Sequence, residues 1–219
     1  MIALGIVTDG RGEYLEKCVD SIVDVSLGPF SDQFMVDDSG DSEYGAWLDD
    51  TFPEFRIHHH DRRLGLAAAV GSAWSLAADS DCEFLFHVEE DFVFTTPLAL
   101  SDMAEVLRRR THLVQLVLKR QPWSDEEIAA GGQIETDPDA YTEVATNIGT
   151  RVEHRKLFSF NPSLIPRRVF GREWGPVLEA DVSAVVFEDP KARSAYWGRK
   201  AAPPVCEHIG VERSAGYRW

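Results

Sequence analysis

The chain has 219 residues, 44% of them hydrophobic, which is long enough for one large domain or two small ones with a substantial core. It carries 37 acidic against 22 basic residues, a net charge of −15, and this charge makes nonspecific nucleic-acid binding unfavourable. No stretch reaches the ~18 apolar residues of a membrane span and the N-terminus lacks a basic leader, so we expect a cytoplasmic protein without stable membrane insertion.

The first half of the chain alternates between strand and helix patterns. A continuous apolar run at residues 2–8 predicts a strand buried on both faces, and apolar residues at helical spacing from Leu15 to Val23 predict the helix that follows. Strand–helix–strand order predicts parallel strands. The later elements predicted in this half are strands at 34–36, 55–58 and 84–94 and a helix at 66–77.

Polar clusters follow three of these strands. They are Thr8-Asp9, Asp37-Asp38 and Glu89-Glu90-Asp91. Ligands bind beyond the C-terminal ends of strands in such sheets, so the clusters are candidates for one site. Residues two apart in a strand share a face, which would let Glu89 and Asp91 converge on a divalent cation while Glu90 faces away. The alternative is an acidic turn that pairs with Arg or Lys.

The second half is less regular. It predicts a helix after Pro97, a strand at 113–118, a late helix from Leu178 to Val186 and a last strand at 205–209. No linker-like segment divides the chain. The prediction is therefore a single α/β domain over residues 1–219, with a nucleotide-binding half at about 1–95 and an acceptor half at about 96–219.

In their order and spacing, these motifs resemble the GT-A-fold glycosyltransferases, in particular the family-2-like group that uses nucleotide sugars. The segment 35–41 is similar to the family's Val-Asp-Asp-Gly-Ser-x-Asp, and Glu89-Glu90-Asp91 stands at the place of its Asp-x-Asp. The other segments that carry the resemblance are Val7-Thr8-Asp9, Arg63-Leu64-Gly65-Leu66, Asn161-Pro162-Ser163-Leu164 and His208-Ile209-Gly210. The chain departs from the family pattern at Arg63, where Asn is usual, and at Glu179-Ala180-Asp181, which replaces a Glu-Asp pair.

The resemblance implies a GT-A-type single domain with a Rossmann-like half, a mostly parallel sheet and a smaller mixed acceptor half. The implied donor is a nucleoside-diphosphate sugar, UDP-linked by preference, with Thr8 and Asp38 at the base and ribose. Arg213 and Arg218 would fold over the pyrophosphate as a C-terminal lid, although a disordered terminus is the alternative. The residues expected to contact the donor are Thr8, Asp9, Asp38, Arg63, Glu90, Arg213 and Arg218.

The resemblance also implies a metal and a base. Glu89, Asp91 and His208 would hold Mn²⁺ or Mg²⁺ as a Lewis acid against the diphosphate. An inverting transfer needs a carboxylate that deprotonates the acceptor hydroxyl, for which Glu179 is the first choice and Asp181 the second. The acceptor stays open between a glycan, a lipid-linked sugar, a protein side chain and a hydroxylated nucleobase. The alternative functions are a nucleotidyltransferase acting on a sugar phosphate and a noncatalytic nucleotide-sugar- or glycan-binding module.

Overall fold

The computed structural model describes residues 1–25, 28–120, 134 and 137–210. The strands in these ranges are β1 Ile2–Thr8, β2 Asp32–Asp37, β3 Arg56–His59, β4 Phe84–Glu89, β5 Phe92–Phe94, β6 Leu113–Val117, β7 Thr142–Ala145, β8 Thr150–His154, β9 Ser163–Pro166, β10 Arg193–Trp197 and β11 Cys206–His208. The helices are α1 Gly12–Asp24, α2 Ser42–Thr51, α3 Leu66–Asp79, α4 Leu100–Arg109, α5 Arg167–Phe170 and α6 Glu179–Val186, with a 3₁₀ turn at Pro138–Ala140.

A nine-stranded sheet has the order β3-β2-β1-β4-β9-β6-β10-β8-β7. Its first four strands are parallel, as predicted for the nucleotide-binding half. The register pairs Thr8 with Asp37, and Val7 with Glu89. Because the strands run in one direction, the polar residues that follow β1, β2 and β4 meet at one edge of the sheet.

Beyond β4 the sheet is mixed. Strand β9 lies between β4 and β6 and is antiparallel to both, whereas β10 is parallel to β6. Strands β8 and β7 extend this end as antiparallel neighbours. The sequence did not predict β7 to β10, since they have only four or five residues each and lack the long apolar run that marks β1.

Helices cover both faces of the sheet, and the alternation along β1 shows why this strand is apolar throughout. Leu4 and Ile6 pack in the cluster that includes residues of α1 and α4, while Ala3 and Val7 pack in the cluster with α3, α5 and α6. A strand with helices on both faces has no solvent side for polar residues. Among the described residues, no helix combines the length and apolar composition needed to cross a membrane.

The strand predicted over 84–94 is wrong in one respect. It consists of two strands, β4 and β5, and Glu90 and Asp91 form the turn between them. Strand β5 leaves the main sheet and pairs with β11 in a two-stranded antiparallel sheet. The rule that alternate side chains point to opposite faces therefore ends at Glu89 and does not apply to the next two carboxylates.

Candidate functional site

The acidic residues at the ends of β1 and β4 surround one arginine that the sequence analysis did not select. The Arg11 Nε lies 2.9 Å from Asp9 Oδ1 and 2.7 Å from Glu90 Oε1, and its Nη2 lies 2.9 Å from Asp91 Oδ2. Burial alone would lower the pKa of Arg11, but the three carboxylates raise it above its usual value. Arg11 immediately precedes α1, and Gly10 before it has a φ of 104°, which favours glycine in this turn.

Glu90 is directed inward and does not face away from its neighbours as predicted. Its carboxylate accepts hydrogen bonds from the Asp9 N–H at 2.9 Å and from the Thr8 hydroxyl, besides its ion pair with Arg11. The Thr8 hydroxyl also lies 2.6 Å from the hydroxyl of Tyr44. The physical reason for the error is the turn at Glu90, which directs its side chain towards β1. Burial and the neighbouring Asp9 raise the pKa of Glu90 well above its usual range.

Asp91 has one carboxylate oxygen paired and one without a partner. Oδ2 contacts Arg11 and lies 3.3 Å from His208 Nε2, while the buried Oδ1 has no hydrogen-bond partner among the described residues. The side chain is buried, which alone would raise its pKa, but His208 and Arg11 lower the pKa below its usual value. The β5–β11 pairing brings His208 opposite Phe92 and so next to Asp91.

The backbone of Ile209 and Gly210 packs closely against Asp91. The Ile209 N–H donates to the Asp91 carbonyl oxygen at 2.8 Å. A Cβ atom at Gly210 would overlap the Asp91 carboxylate. The position therefore requires a residue without a side chain, which gives a physical reason for the His208-Ile209-Gly210 segment.

Glu89 lies near two other carboxyl groups, those of Asp91 and Glu179. Glu89 is partly buried, and its carboxylate has no hydrogen bond or ion pair within the described ranges. Burial, followed by the nearby Asp91 and Glu179, raises the pKa of Glu89 well above its usual range. The Glu179 Oε1 accepts a hydrogen bond from the Phe160 N–H at 2.5 Å, and burial raises the pKa of Glu179 as well. The structure thus brings together two predicted metal ligands and the first-choice base.

Asp181 has a different environment from Glu179. Its Oδ2 accepts a hydrogen bond from the Leu178 N–H at 3.1 Å, at the exposed N-terminus of α6. This is the position at which a carboxylate compensates unpaired helical N–H groups. Of the two candidate bases, only Glu179 faces the acidic cluster.

Asp38 is buried behind the loop that joins β3 to α3. Its carboxylate accepts hydrogen bonds from the N–H groups of Leu64 at 2.8 Å and Gly65 at 2.7 Å. The His60 Nδ1 lies 2.7 Å from the same carboxylate. These three contacts fix the loop. The sequence analysis did not select His60, because residues 58–60 were expected to end a strand, in which neighbouring side chains point to opposite faces.

Arg63 connects this loop to the end of β1. Its Nη2 donates to the Asp9 carbonyl oxygen at 2.6 Å. The predicted donor-contacting residues Thr8, Asp9, Asp38, Arg63 and Glu90 therefore belong to one set of neighbouring loops. Arg213 and Arg218, assigned to the C-terminal lid, lie outside the described residues.

The described residues can supply part of a metal site. No group of three or more His, Cys, Asp or Glu side chains in the described ranges has the arrangement of a metal site. However, the unpaired Oδ1 of Asp91 is a buried anionic oxygen, and His208 and the unpaired Glu89 lie close by. Divalent cations such as Mg²⁺ are commonly held by one or two carboxylates, with substrate phosphates and water as the other ligands. The residues present fit that kind of site.

Neither a protein-family model nor a curated protein sequence matches the chain. Solved structures do match it. TarS residues 1–349 from S. aureus has a TM-score of 0.59 and 12% identity over 95% of this chain and 60% of that chain. The mannosyltransferase PcManGT from Pyrobaculum calidifontis, in complex with GDP-Man and Mn²⁺, has a TM-score of 0.60 and 15% identity over 97% of this chain and 57% of that chain.

A third match is GalNAc-T7 with UDP, GalNAc and Mn²⁺, with a TM-score of 0.61 and 12% identity over 100% of this chain and 45% of that chain. The chain has a GT-A fold. This confirms the fold class predicted from the sequence. The GT-A chain described here spans less than two thirds of each of these three proteins.

Proposed function

We propose that this GT-A protein is a glycosyltransferase that moves a sugar from a nucleoside-diphosphate sugar to an acceptor hydroxyl, with the help of a divalent metal. The observation that carries the proposal is the unpaired, buried Oδ1 of Asp91 beside His208, at the edge where the parallel strands end. An ionised oxygen without a partner is costly inside a protein unless a ligand compensates it. A ligand bound to this oxygen would lie next to the predicted nucleotide site.

The donor is proposed from the site and from the similar structures together. TarS has been solved in complex with UDP-GlcNAc, and PcManGT in complex with GDP-Man and Mn²⁺. We propose a UDP-linked donor for this chain, held between Thr8, Asp9 and the loop that Asp38 and Arg63 fix. A carboxylate has about four lone-pair sites, and Asp38 uses three with His60, Leu64 and Gly65. Because Asp38 is also fully buried, we propose that it supports the nucleoside site through this loop.

We assign Asp91, His208 and Glu89 to the metal. Mn²⁺ or Mg²⁺ would act as a Lewis acid that offsets the charge of the leaving diphosphate. Asp91 offers the unpaired oxygen, and Glu89 offers a carboxylate without a partner in the described part of the chain. The charge of a cation would also relieve the repulsion between Glu89 and its acidic neighbours.

Glu179 is the proposed base of an inverting transfer. Its carboxylate would take the acceptor hydroxyl proton while that oxygen forms a bond to the anomeric carbon and the bond to the diphosphate breaks. The Phe160 N–H and the Ser159 side chain hold the Glu179 carboxylate in place. Its raised pKa suits a group that must receive a proton near neutral pH. Asp181 is disfavoured because its carboxylate caps α6.

Two measurements on the whole chain test this proposal. A thermal-shift panel of nucleoside diphosphates and nucleotide sugars, with and without Mn²⁺, should identify the donor. A ligand at 100 times its Kd stabilises by roughly 2.7 kcal/mol. The best nucleotide sugar should then release its nucleoside diphosphate in a coupled assay, which a noncatalytic binding module would not do. The absence of a shift with every nucleotide, in the presence of Mn²⁺, would contradict the donor site.

A further inference from the structure

The acidic cluster formed by Asp9, Glu90 and Asp91 already contains a cation of its own. The guanidinium of Arg11 contacts all three carboxylates at 2.7 to 2.9 Å. Only 24% of the Arg11 side chain is exposed, and the three carboxylates are each at least 90% buried. Buried carboxylates are tolerated when each is paired with a positive group. Arg11 is such a group for all three carboxylates.

A second observation points to a ligand at the same cluster. Arg11 and His208 both contact Oδ2 of Asp91, and the other oxygen, Oδ1, is buried without a hydrogen-bond partner in the described ranges. Asp91 thus has one carboxylate oxygen in contact with Arg11 and one without a partner among the described residues. A metal ion on Oδ1 would share the carboxylate with the guanidinium.

We propose that Arg11 is the built-in counter-cation of this cluster and that it sets the cluster's affinity for a divalent metal. The inference rests on the proposed function of Asp91 as a metal ligand. Two cations on one carboxylate repel each other, and the repulsion is strong where little water screens it. Arg11 therefore weakens metal binding when no nucleotide is present. In the metal-free protein, it offsets part of the negative charge of the three carboxylates.

A nucleoside diphosphate changes this balance. Its phosphate oxygens bring negative charge to the cluster, which offsets the repulsion between Arg11 and the metal. Metal and nucleotide should then bind cooperatively, and the coupling must be reciprocal. Without the charge of Arg11, the metal should bind tightly by itself and gain less from the nucleotide.

The test uses Arg11→Gln, which removes the charge, and Arg11→Lys, which keeps it. Lys17→Gln is the matched control, because Lys17 is exposed on α1, the helix that follows Arg11, and its substitution removes one positive charge away from the cluster. Mn²⁺ affinity is measured from the EPR signal of free Mn²⁺, with and without saturating UDP. Arg11→Gln should bind Mn²⁺ alone at least about tenfold more tightly than the unmodified protein, whereas Lys17→Gln and Arg11→Lys stay within about threefold.

An unchanged or weaker Mn²⁺ affinity in Arg11→Gln would overturn the inference and leave Arg11 a structural residue. Since the loss of Arg11 leaves three carboxylates uncompensated, thermal melts accompany each measurement. If Arg11→Gln is unstable, Mn²⁺ should raise its Tm more than that of the unmodified protein, and an equal or smaller rise would also overturn the inference. UDP binding to the unmodified protein separates the two proposals: if UDP binds, the donor site stands whatever Arg11 does, and if it does not, the proposed function fails first.

Discussion

The ends of β2 and β4 both carry adjacent carboxylates, but the two regions satisfy them differently. At the end of β2, Asp38 is fully buried and holds the N–H groups of Leu64 and Gly65. At the end of β4, one carboxylate oxygen of Asp91 and the whole Glu89 carboxylate have no hydrogen-bond partner in the described part of the chain. Similar acidic motifs therefore have different roles in the fold.

In the proposed function, this difference separates a cluster that stabilises the fold from one that binds a ligand. A carboxylate whose lone pairs are nearly all used by the chain stabilises a loop, and removing it leaves buried donors unpaired. A buried carboxylate oxygen that has no partner within the chain raises the free energy of the folded state until a ligand binds to it. Substitutions at the end of β2 should therefore lower the free energy of unfolding, whereas substitutions at the end of β4 should mainly lower metal binding and activity.

The largest effect is expected at Glu179, the carboxyl next to the β4 cluster. Glu179→Gln should lower kcat for sugar transfer by about 10²- to 10⁴-fold, because the acceptor hydroxyl loses its base. Asp181→Asn is the matched control and should keep most of the activity, since it changes only a helix cap. Steady-state kinetics with the donor from the thermal-shift panel measures both.

The pH dependence gives a second test of the same residue. The pKa of Glu179 is raised, so kcat/KM should increase with pH along a limb whose midpoint lies above 4.5, the usual value for Glu. That limb should disappear in the residual activity of Glu179→Gln. Equal losses in Glu179→Gln and Asp181→Asn would show that the base lies elsewhere.

At the β2 end, Asp38→Asn should destabilise the fold by about 3 kcal/mol, because an amide nitrogen would face a backbone N–H that needs an acceptor. Urea unfolding at neutral pH measures this change. Asp41→Asn is the control, since Asp41 is an exposed N-cap and Asn caps a helix equally well. If Asp38→Asn were as stable as the control, the structural role assigned to Asp38 would be refuted.

Gly210→Ala tests the close fit around Asp91. The added methyl group would overlap the carboxylate, so the variant should lose about 2 kcal/mol of stability and bind Mn²⁺ more weakly. Gly175→Ala is the control, because a Cβ at Gly175 meets no atom within 4 Å. Thermal melts and Mn²⁺ titrations of both variants measure the two effects, and identical behaviour would refute the predicted contact.

The smallest effect is a stabilisation at Glu89. Burial, Asp91 and Glu179 raise the pKa of Glu89 above 4.5, so its ionisation disfavours the folded state as pH rises. Glu89→Gln should therefore gain about 1 kcal/mol at pH 8 and almost nothing at about pH 3, where the carboxyl is protonated in both states. Glu16→Gln, exposed on α1, should change little at either pH. A loss of stability in Glu89→Gln at pH 8 would show that the Glu89 carboxylate has a stabilising partner, and this would contradict the account.

The N-terminal half of the fold was predictable from the sequence because its signals are local. The apolar runs of β1, β2 and β4 are followed directly by their polar clusters, so strand direction alone places Thr8, Asp37 and Glu89 at one edge. The turn at Glu90 was not predictable in this way, since β5 continues the apolar pattern of β4 and hides the break between them.

Contacts between distant segments explain most of the other errors. Arg11 and Glu90 are separated by 79 residues, and nothing near Arg11 in the sequence indicates that a carboxylate from β4 will meet it. His208 reaches Asp91 only through the pairing of β11 with β5, and motif resemblance rather than strand alternation selected it. Strand β9 has four residues and ends in Pro166, so its place between β4 and β6 depends on pairing that the sequence does not display.

The most direct test of the account is the affinity of UDP for the Asp91→Asn variant, measured by calorimetry with and without Mn²⁺. Asp50→Asn, an exposed substitution on α2, is the control. We expect Mn²⁺ to strengthen UDP binding at least about tenfold in the unmodified protein and in Asp50→Asn, and to have no effect in Asp91→Asn, while all three proteins stay folded. If Mn²⁺ strengthens UDP binding equally in folded Asp91→Asn, the metal does not use Asp91 and the account is contradicted.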